Sequence, residues 1–426
     1  MIGKKQIRRL GETIQKENGI LTQETLQQLE EYRISFKDFL STAFHTIDKI
    51  SNESFKNGIV TYRIKRFESI INKLIRHPSM CLDRMWDIGG CRCILNSKED
   101  VYRFRDKINE HFTIRKTNDY YETPQDDGYK SLHLYISSKV DDSTIIEIQI
   151  RNYESHNWAT LVEITDFLCN QKIKEKKNST FLGKMLKYLS RYESLTWNEK
   201  IDLLRIIAKT GFFKKLTSVF NRNYIEIRKQ WTNIEDNITK SYILIAAHVD
   251  RPPVIETFSS FIEAEKAYFN GFDHQSKENR VLTHIIEPRY SKVSVAYSNY
   301  VLSYHKFIDE YFSILKDATF ESLHKNSLLR FLKYFTRYRI ADSSYTINIM
   351  KELKTLSTIK TKKKGKKEEW QNNIKDNITK RIYQRKKFIE LLFNRMPDFI
   401  LFKILYSFIF FIINKILDEV YRRVKI

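Results

Sequence analysis

Four short stretches of this chain group side chains suited to holding phosphates and moving a phosphoryl group. In Arg63-Ile64-Lys65-Arg66-Phe67-Glu68-Ser69-Ile70-Ile71-Asn72-Lys73, a helix starting near Arg66 puts Arg66, Ser69 and Lys73 on one face, because residues three and four apart are neighbours. Arg63 and Lys65 precede it, so four cations surround one segment and could clamp a triphosphate, arginine favouring paired contacts to oxygen. In Asp87-Ile88-Gly89-Gly90-Cys91-Arg92 an acid opens a turn into a strand. A carboxylate at a strand mouth suits magnesium, which takes one or two carboxylates together with phosphate oxygens. In Asp126-Asp127-Gly128-Tyr129-Lys130-Ser131-Leu132-His133, Tyr129 follows a turn glycine and can stand clear of the loop to stack on a base. Ser131 and His133 share its face by two-residue alternation. In Glu147-Ile148-Gln149-Ile150-Arg151 the same alternation gathers Glu147, Gln149 and Arg151 into a candidate catalytic wall. Each stretch also has a plainer reading: a basic amphipathic helix facing water, a turn-forming Asp with a surface Arg, an ordinary hairpin, a half-exposed strand. His156, in the helix that follows, reads as a structural histidine.

The elements that must position these residues follow from hydrophobic spacing. Residues 5–50 carry apolar side chains at helical intervals, among them Leu26, Leu29, Phe36, Phe39, Leu40 and Phe44. Residues 60–165 change character. Strand-like runs at Arg92–Leu95, Ser131–Ser137 and Thr144–Ile150 alternate with helical stretches at Phe67–Ile75 and Val101–His111, the mark of an α/β or α+β domain. Residues 155–235 read as helices. Ser241–His248 reads as a strand ended by Arg251-Pro252-Pro253, and 257–270 and 300–356 as helices. The expected divisions are a helical lead-in at 1–50, the catalytic domain at 51–200, a mainly helical accessory or regulatory domain at 201–358, and a basic linker with hydrophobic C-terminal helices at 359–426.

Of the 426 residues, 42% are hydrophobic, and only 11 are Gly and 6 Pro, which favours long helices with few tight turns. The four cysteines, Cys81, Cys91, Cys93 and Cys169, form no CxxC pair and are expected to be reduced and mostly buried. Met1–Leu10 is basic but lacks the apolar segment of a secretory signal, so a cytoplasmic location is expected. The formal charge of +22 is uneven: residues 1–170 hold 25 basic and 25 acidic side chains, so all the excess lies beyond them. That asymmetry points to a polyanionic partner, nucleic acid or an anionic membrane, or else to a lysine-rich solvated surface.

In order and spacing, the four stretches resemble the synthetase domain of RelA/SpoT enzymes and small alarmone synthetases. The family pattern R-x-K…S-I…K, D-x-x-G-x-R-x-I, G-Y-x-S-[IL]-H, E-[IV]-Q-I-R reads here as Arg63/Lys65/Ser69/Ile70/Lys73, Asp87/Gly90/Arg92/Ile94, Gly128/Tyr129/Ser131/Leu132/His133 and Glu147/Ile148/Gln149/Ile150/Arg151. The likeness covers roughly residues 40–170. It implies a nucleotidyltransferase-like mixed β-sheet flanked by helices, an α+β fold, here followed by a mainly helical C-terminal region. It further implies a pyrophosphokinase that moves the β,γ-pyrophosphate of ATP onto a ribose 3′-hydroxyl. Arg63, Lys65, Arg66, Ser69 and Lys73 would hold ATP. Asp87 and Glu147 would bind Mg2+, with Glu147 taking the hydroxyl proton and Arg92 completing the catalytic group. Tyr129, His133, Gln149 and Arg151 would face the acceptor.

The acceptor loop departs from the pattern. Where many guanine-nucleotide synthetases carry Pro-Lys-x-Asn-Gly-Tyr, this chain has Pro124-Gln125-Asp126-Asp127-Gly128-Tyr129. The loss of the lysine leaves the acceptor open between GDP or GTP, giving an alarmone, and the 3′ end of tRNA, giving a block in translation. Asp127 could alternatively read the guanine amino edge. A second likeness points the same way: His156-Asn157-Trp158-Ala159-Thr160-Leu161-Val162-Glu163 and Ala296-Tyr297-Ser298-Asn299-Tyr300 are similar to elements of toxic small alarmone synthetases, including fused toxin–antitoxin phage-defence proteins of the CapRel type. No adjacent His-Asp pair of the family's hydrolase domain is present, so such an enzyme would make product without removing it. The competing class is a catalytically inactive nucleotide- or RNA-binding regulatory module. Beyond ATP and its acceptor, the expected partners are nucleic acid or an anionic membrane for the basic C-terminal half, and a regulatory protein. Phe399–Leu417, apolar on every helical face between Lys403 and Lys415, is either a core helix packing against residues 325–355 or a partner chain, or a membrane-associated tail helped by the basic run Lys360–Lys367.

Overall fold

Apolar side chains at three- and four-residue spacing open the chain as three helices: α1 (Lys4–Lys16) buries Ile7, Leu10 and Ile14, α2 (Gln23–Ile34) buries Leu29 and Tyr32, and α3 (Lys37–Ser54) buries Leu40, Ala43, Phe44 and Ile47. The computed structural model describes residues 3–169, 180–234, 241–247, 252–270, 279–286, 289–297, 306–359, 364–395 and 415. After α3 come β1 (Ile59–Ile64), α4 (Phe67–Arg76), β2 (Gly89–Leu95), α5 (Lys98–His111), β3 (Thr113–Asp119), β4 (Leu132–Ser137), β5 (Ile146–Asn152) and α6 (Tyr153–Cys169). Ser97 caps α5 by accepting the Asp100 N–H at 3.1 Å, and Val101, Phe104 and Ile108 form its buried stripe.

Beyond residue 240 the chain returns to strands: β6 (Tyr242–Ala247), β7 (Val254–Phe258) and β8 (Asn279–His284), with α10 (Phe261–Asn270) before β8 and α11 (Tyr290–Ala296) after it. All eight strands form one sheet in the order β3-β4-β5-β2-β1-β8-β6-β7. The β2–β5 pair is parallel and the other pairs are antiparallel, so the sheet is mixed. Its apolar face, with Tyr62, Cys91, Cys93, Ile148, Ile150, Leu132 and Leu134, packs into one core with Phe44, Ile47, Phe104 and Ile108 of α3 and α5 and Phe261 and Tyr268 of α10. Cys91 and Cys93 are buried free thiols and Cys81 is half-buried.

The chain divides into two compact units, Met1–Glu163 with Asn237–Val301, and Ile164–Asp236 with Leu302–Ile426. This division differs from the expected boundary at residue 200/201. Strands β6 to β8 lie in the expected accessory domain, yet β8 pairs with β1 through Val60↔His284 and Tyr62↔Leu282 and completes the sheet of the first unit. The described part of the second unit is helical: α7 (Phe181–Leu189), α8 (Trp197–Thr210), α9 (Phe212–Asn233), α12 (Lys306–His324), α13 (Leu328–Thr358) and α14 (Lys364–Arg395). Within it Asp342 of α13 receives Arg381 of α14 at 3.0 Å and Arg385 beside it, while the Arg381 guanidinium lies 3.5 Å from the Phe312 ring centre. The basic run expected as a linker is in part helical, because residues 364–367 open α14; residues 360–363 lie outside the described residues. Phe399–Leu417 also lies outside them, apart from Lys415. No helix among the described residues is long and apolar enough to cross a membrane.

Candidate active site

The second face of the sheet is polar. Residues opposite one another in a ladder point to the same side, and the registers align Thr61 with Arg92, Arg63 with Gly90, Gly90 with Glu147, Arg92 with Gln149, His133 with Gln149, and Tyr135 with Glu147. Four strands thereby bring Arg63, Arg92, His133, Tyr135, Glu147, Gln149 and Arg151 together. A solvated strand face would leave its charged groups in water. Here Arg92 is 7% exposed, His133 8%, Glu147 7% and Arg151 4%. Charges taken out of water persist only when paired and hydrogen-bonded, so this face is a built polar cluster.

Its partners form a continuous chain. Glu147 Oε1 meets His133 Nδ1 at 2.9 Å, and Glu147 Oε2 accepts from Gln149 Nε2 at 2.8 Å. The other imidazole nitrogen, Nε2, meets the Tyr129 hydroxyl at 2.7 Å. Arg151 Nη2 donates to that hydroxyl at 2.7 Å and to Gln149 Oε1 at 3.2 Å. Burial pushes the Glu147 carboxyl up, but His133, Gln149 and Arg63 together hold it well below the usual carboxylate range. Burial pushes the His133 imidazolium down, yet Tyr129 and Glu147 raise it to about 9. Burial would raise the Tyr129 phenol, and Arg151 with His133 bring it down to about 7. Glu147 is therefore ionised at neutral pH.

A second cluster stands where β1 leads into α4. Lys65, just after β1, pairs with Asp87 Oδ2, and Lys73 Nζ from α4 reaches the same oxygen at 2.9 Å. The segment is pinned from below: the Lys65 N–H donates to the Ile88 carbonyl at 2.7 Å, and the buried Arg33 donates from Nε to the Lys65 carbonyl at 3.0 Å. Burial drives the Asp87 carboxyl up, the two lysines pull it down and Glu147 pushes it up; the outcome is below the ordinary value. Lys65 ends below its ordinary value because burial, Lys73 and Arg63 outweigh Asp87. Arg66 stands at the N-cap position of α4 without a side-chain cap and is exposed, and Ser69 is half-buried in its first turn; neither meets Asp87.

Tyr129 does not stand clear of its loop. Asp127 Oδ1 accepts the Tyr129 N–H at 3.0 Å, Gly128 takes φ +92°, and the Gly128 N–H donates to the Gln125 carbonyl at 2.8 Å, so the turn closes on itself. The half-buried Tyr129 ring packs against Tyr120 at 5.6 Å and Trp158 at 6.2 Å between centroids, and the Arg151 guanidinium lies 5.2 Å from its centre. His156 is fully buried and donates from Nε2 to the Val295 carbonyl at 3.1 Å, which supports its structural reading. Tyr297 in turn donates its hydroxyl to the Ile243 carbonyl, and residues 298–300 lie outside the described residues.

Sequence reasoning missed three aromatic residues here. Tyr135 sits opposite Glu147, and burial together with the nearby Glu147 carboxylate raises its phenol; two residues on from His133, it was accessible to the same alternation argument. Trp86, next to Asp87, packs edge-on to Tyr135 at 5.8 Å, and Tyr120 packs edge-on to His133 at 5.1 Å. Neither has a local sequence signal.

Asp87 Oδ1 is buried and has no hydrogen-bond partner among the described residues. One open carboxylate oxygen beside the two lysines fits a hard divalent ion, which takes one or two carboxylates and completes its shell with other oxygen ligands. Both Glu147 oxygens are engaged, so Glu147 would have to exchange a partner to join. No group of three or more His, Cys, Asp or Glu side chains among the described residues forms a metal cage.

Residues 62–165 match the family described as the region found in RelA / SpoT proteins. GTP pyrophosphokinase YwaC of Bacillus subtilis is 33% identical over 139 residues, covering 29% of this chain and 66% of that protein. GTP pyrophosphokinase YjbM of the same organism is 27% identical over 159 residues, covering 35% of this chain and 73% of its own length. Among solved structures, the small alarmone synthetase 2 from Bacillus subtilis shares 28% identity, with a TM-score of 0.32 over 39% of this chain and 91% of that one. With the four motifs in family order, gathered on the polar sheet face and in the neighbouring β1–α4 cluster, and with the family match running across them, the chain carries a RelA/SpoT-type synthetase domain in residues 62–165.

Proposed function

We propose that this site transfers the β,γ-pyrophosphate of ATP to the 3′-hydroxyl of GDP or GTP. The observation that carries the reading is the buried, ionised Glu147, held by His133 and Gln149 on the same sheet face as Arg63 and beside the Lys65–Asp87–Lys73 cluster. The acceptor oxygen attacks the β-phosphorus, the bond from that phosphorus to the α,β-bridging oxygen breaks, AMP leaves, and the hydroxyl proton passes to Glu147. Such a transfer needs alignment and charge neutralisation more than covalent help. Lys65 and Lys73 exchange Asp87 for phosphate oxygens, and the released carboxylate would be the residue to hold Mg2+. The ion, when bound, offsets the charge of the phosphates. Arg92, buried on the central strand β2, keeps positive charge behind the reacting groups. Tyr129 carries the acceptor base.

Guanine nucleotide is the first choice of acceptor because YwaC and YjbM are both named GTP pyrophosphokinases. The tRNA 3′ end is the second reading, favoured by Gln125 in place of the loop lysine and by the excess positive charge beyond residue 170. The test is incubation with γ-labelled ATP and GDP, GTP or total tRNA in turn, followed by separation of the products. Label in guanine nucleotide is the expected result. Label in tRNA alone moves the acceptor to the second reading. No transfer to any acceptor overturns both and leaves a binding module.

A further inference from the structure

The motif His133 is placed by likeness on the acceptor side, but its surroundings leave it nothing with which to touch an acceptor. The residue is 8% exposed and both ring nitrogens are spent, Nδ1 on Glu147 Oε1 at 2.9 Å and Nε2 on the Tyr129 hydroxyl at 2.7 Å. Its ring stands edge-on to Tyr129 at 5.7 Å and to Tyr120 at 5.1 Å, which fixes its plane. We propose that His133 is a positioning residue, and the Tyr129 hydroxyl with it: together they set the Glu147 carboxylate relative to the aromatic ring that carries the acceptor base. The inference rests on the pyrophosphate-transfer reading above.

The physical reason lies in how loosely a carboxylate is otherwise held. The terminal torsion of Glu is broad, and a single donor leaves the group free to swing. Here Gln149 Nε2 holds Oε2 at 2.8 Å and His133 holds Oε1, so the plane of the carboxylate is set. His133 is fixed in turn through Tyr129, whose hydroxyl Arg151 Nη2 also holds at 2.7 Å. One residue therefore divides two tasks: the Tyr129 ring offers stacking area, and its hydroxyl offers none but anchors the imidazole that aims the base. Attack geometry depends on both at once, because the 3′-oxygen is placed by the ring and its proton acceptor by the imidazole.

The experiment separates the two tasks. Tyr129→Phe keeps the ring and loses the hydroxyl; His133→Asn loses both imidazole contacts. Steady-state kcat and KM for GDP and for ATP are measured for each and for the double variant, with thermal melts as the folding check. Tyr129→Phe should lower kcat about tenfold and His133→Asn about ten- to a hundredfold, the scale of hydrogen bonds to charged groups. KM for GDP should stay within about threefold in Tyr129→Phe, and the double variant should be no worse than His133→Asn alone, because one path is cut once. A wild-type kcat in Tyr129→Phe, a rise in KM for GDP alone, or losses that multiply would overturn the proposal. A low-field imidazole N–H proton resonance gives a readout without turnover. It should be present in the unmodified protein, shifted in Tyr129→Phe and lost in His133→Asn; its absence from the unmodified protein overturns the proposal. Lack of transfer by the unmodified protein with this resonance present would instead sink the assigned reaction.

Discussion

Gly90 tests how tightly the site depends on the spacing of the sheet. In the parallel pair of β2 and β5 it stands opposite Glu147. A Cβ added at Gly90 would lie 2.4 Å from the Glu147 carbonyl oxygen and 3.4 Å from the carbonyl carbon. Ordinary contact with carbon begins at about 3.5 Å, so the strands must part by about 1 Å. A backbone oxygen held in a ladder cannot swing aside as a side chain would. Overpacking of this kind costs about 1–3 kcal/mol, and a displacement of about 1 Å at a reacting group can cost a hundredfold in rate. The strand that moves carries Glu147, whereas Lys65 and Lys73 sit on the β1–α4 side. Gly90→Ala should therefore lower the melting temperature by several degrees and kcat by about two orders of magnitude, with KM for ATP little changed. Steady-state kinetics with labelled ATP and a circular-dichroism melt measure both. Gly365→Ala is the control, because nothing lies within 4 Å of its added Cβ, and in α14 the change should be neutral or stabilising by up to about 1 kcal/mol. A kcat for Gly90→Ala within about threefold of the unmodified protein, against the ~100-fold loss expected, would refute the claim that sheet spacing places Glu147.

Asp87→Asn removes the negative charge that Lys65 and Lys73 share and that would attract a metal ion to the open oxygen; turnover should fall about a hundredfold or more, and near-normal turnover would remove Asp87 from the mechanism. Tyr129→Ala should weaken acceptor binding by about 1–3 kcal/mol and leave ATP binding unchanged in calorimetry; equal losses would make Tyr129 structural. His156 is buried neutral, its pKa lowered to about 3 by burial, Arg92 and Arg151. The unfolded chain takes up the proton below about 6.5 while the folded one does not, so stability is full above that pH and falls as pH drops toward 3. The loss is about 2 kcal/mol at pH 5, and melts between pH 6.5 and 5 should be flatter in His156→Gln than in the unmodified protein; parallel curves would contradict the assignment. If tRNA is the acceptor, activity should drop steeply between about 50 and 200 mM salt as counterions are released, while transfer to GTP should be nearly salt-insensitive.

The alternation of Glu147, Gln149 and Arg151 was legible in the residues alone, because side chains on a strand repeat every two positions whatever the fold around them. So were the helical stripes of α3 and α5, the turn at Gly128, and the order of the four motifs. Strand β3, Thr-Ile-Arg-Lys-Thr-Asn-Asp at the sheet edge, was not legible: an edge strand half-exposed on both sides has no apolar alternation to read. Strands β7 and β8 were missed for a different reason, since their burial is supplied by pairing with β6 and by β1, far away in the chain. What only the tertiary structure decided is whether the polar strand face meets water or closes. The sequence places Glu147 and His133 on like faces of two strands. The register of β4 on β5, the close approach of β2 at Gly90 and the packing of Tyr120 and Trp158 bury them within 2.9 Å of each other. Local periodicity sets the direction of a side chain; the dielectric around it, and with it the charge it carries, is set by neighbours contributed from distant parts of the chain.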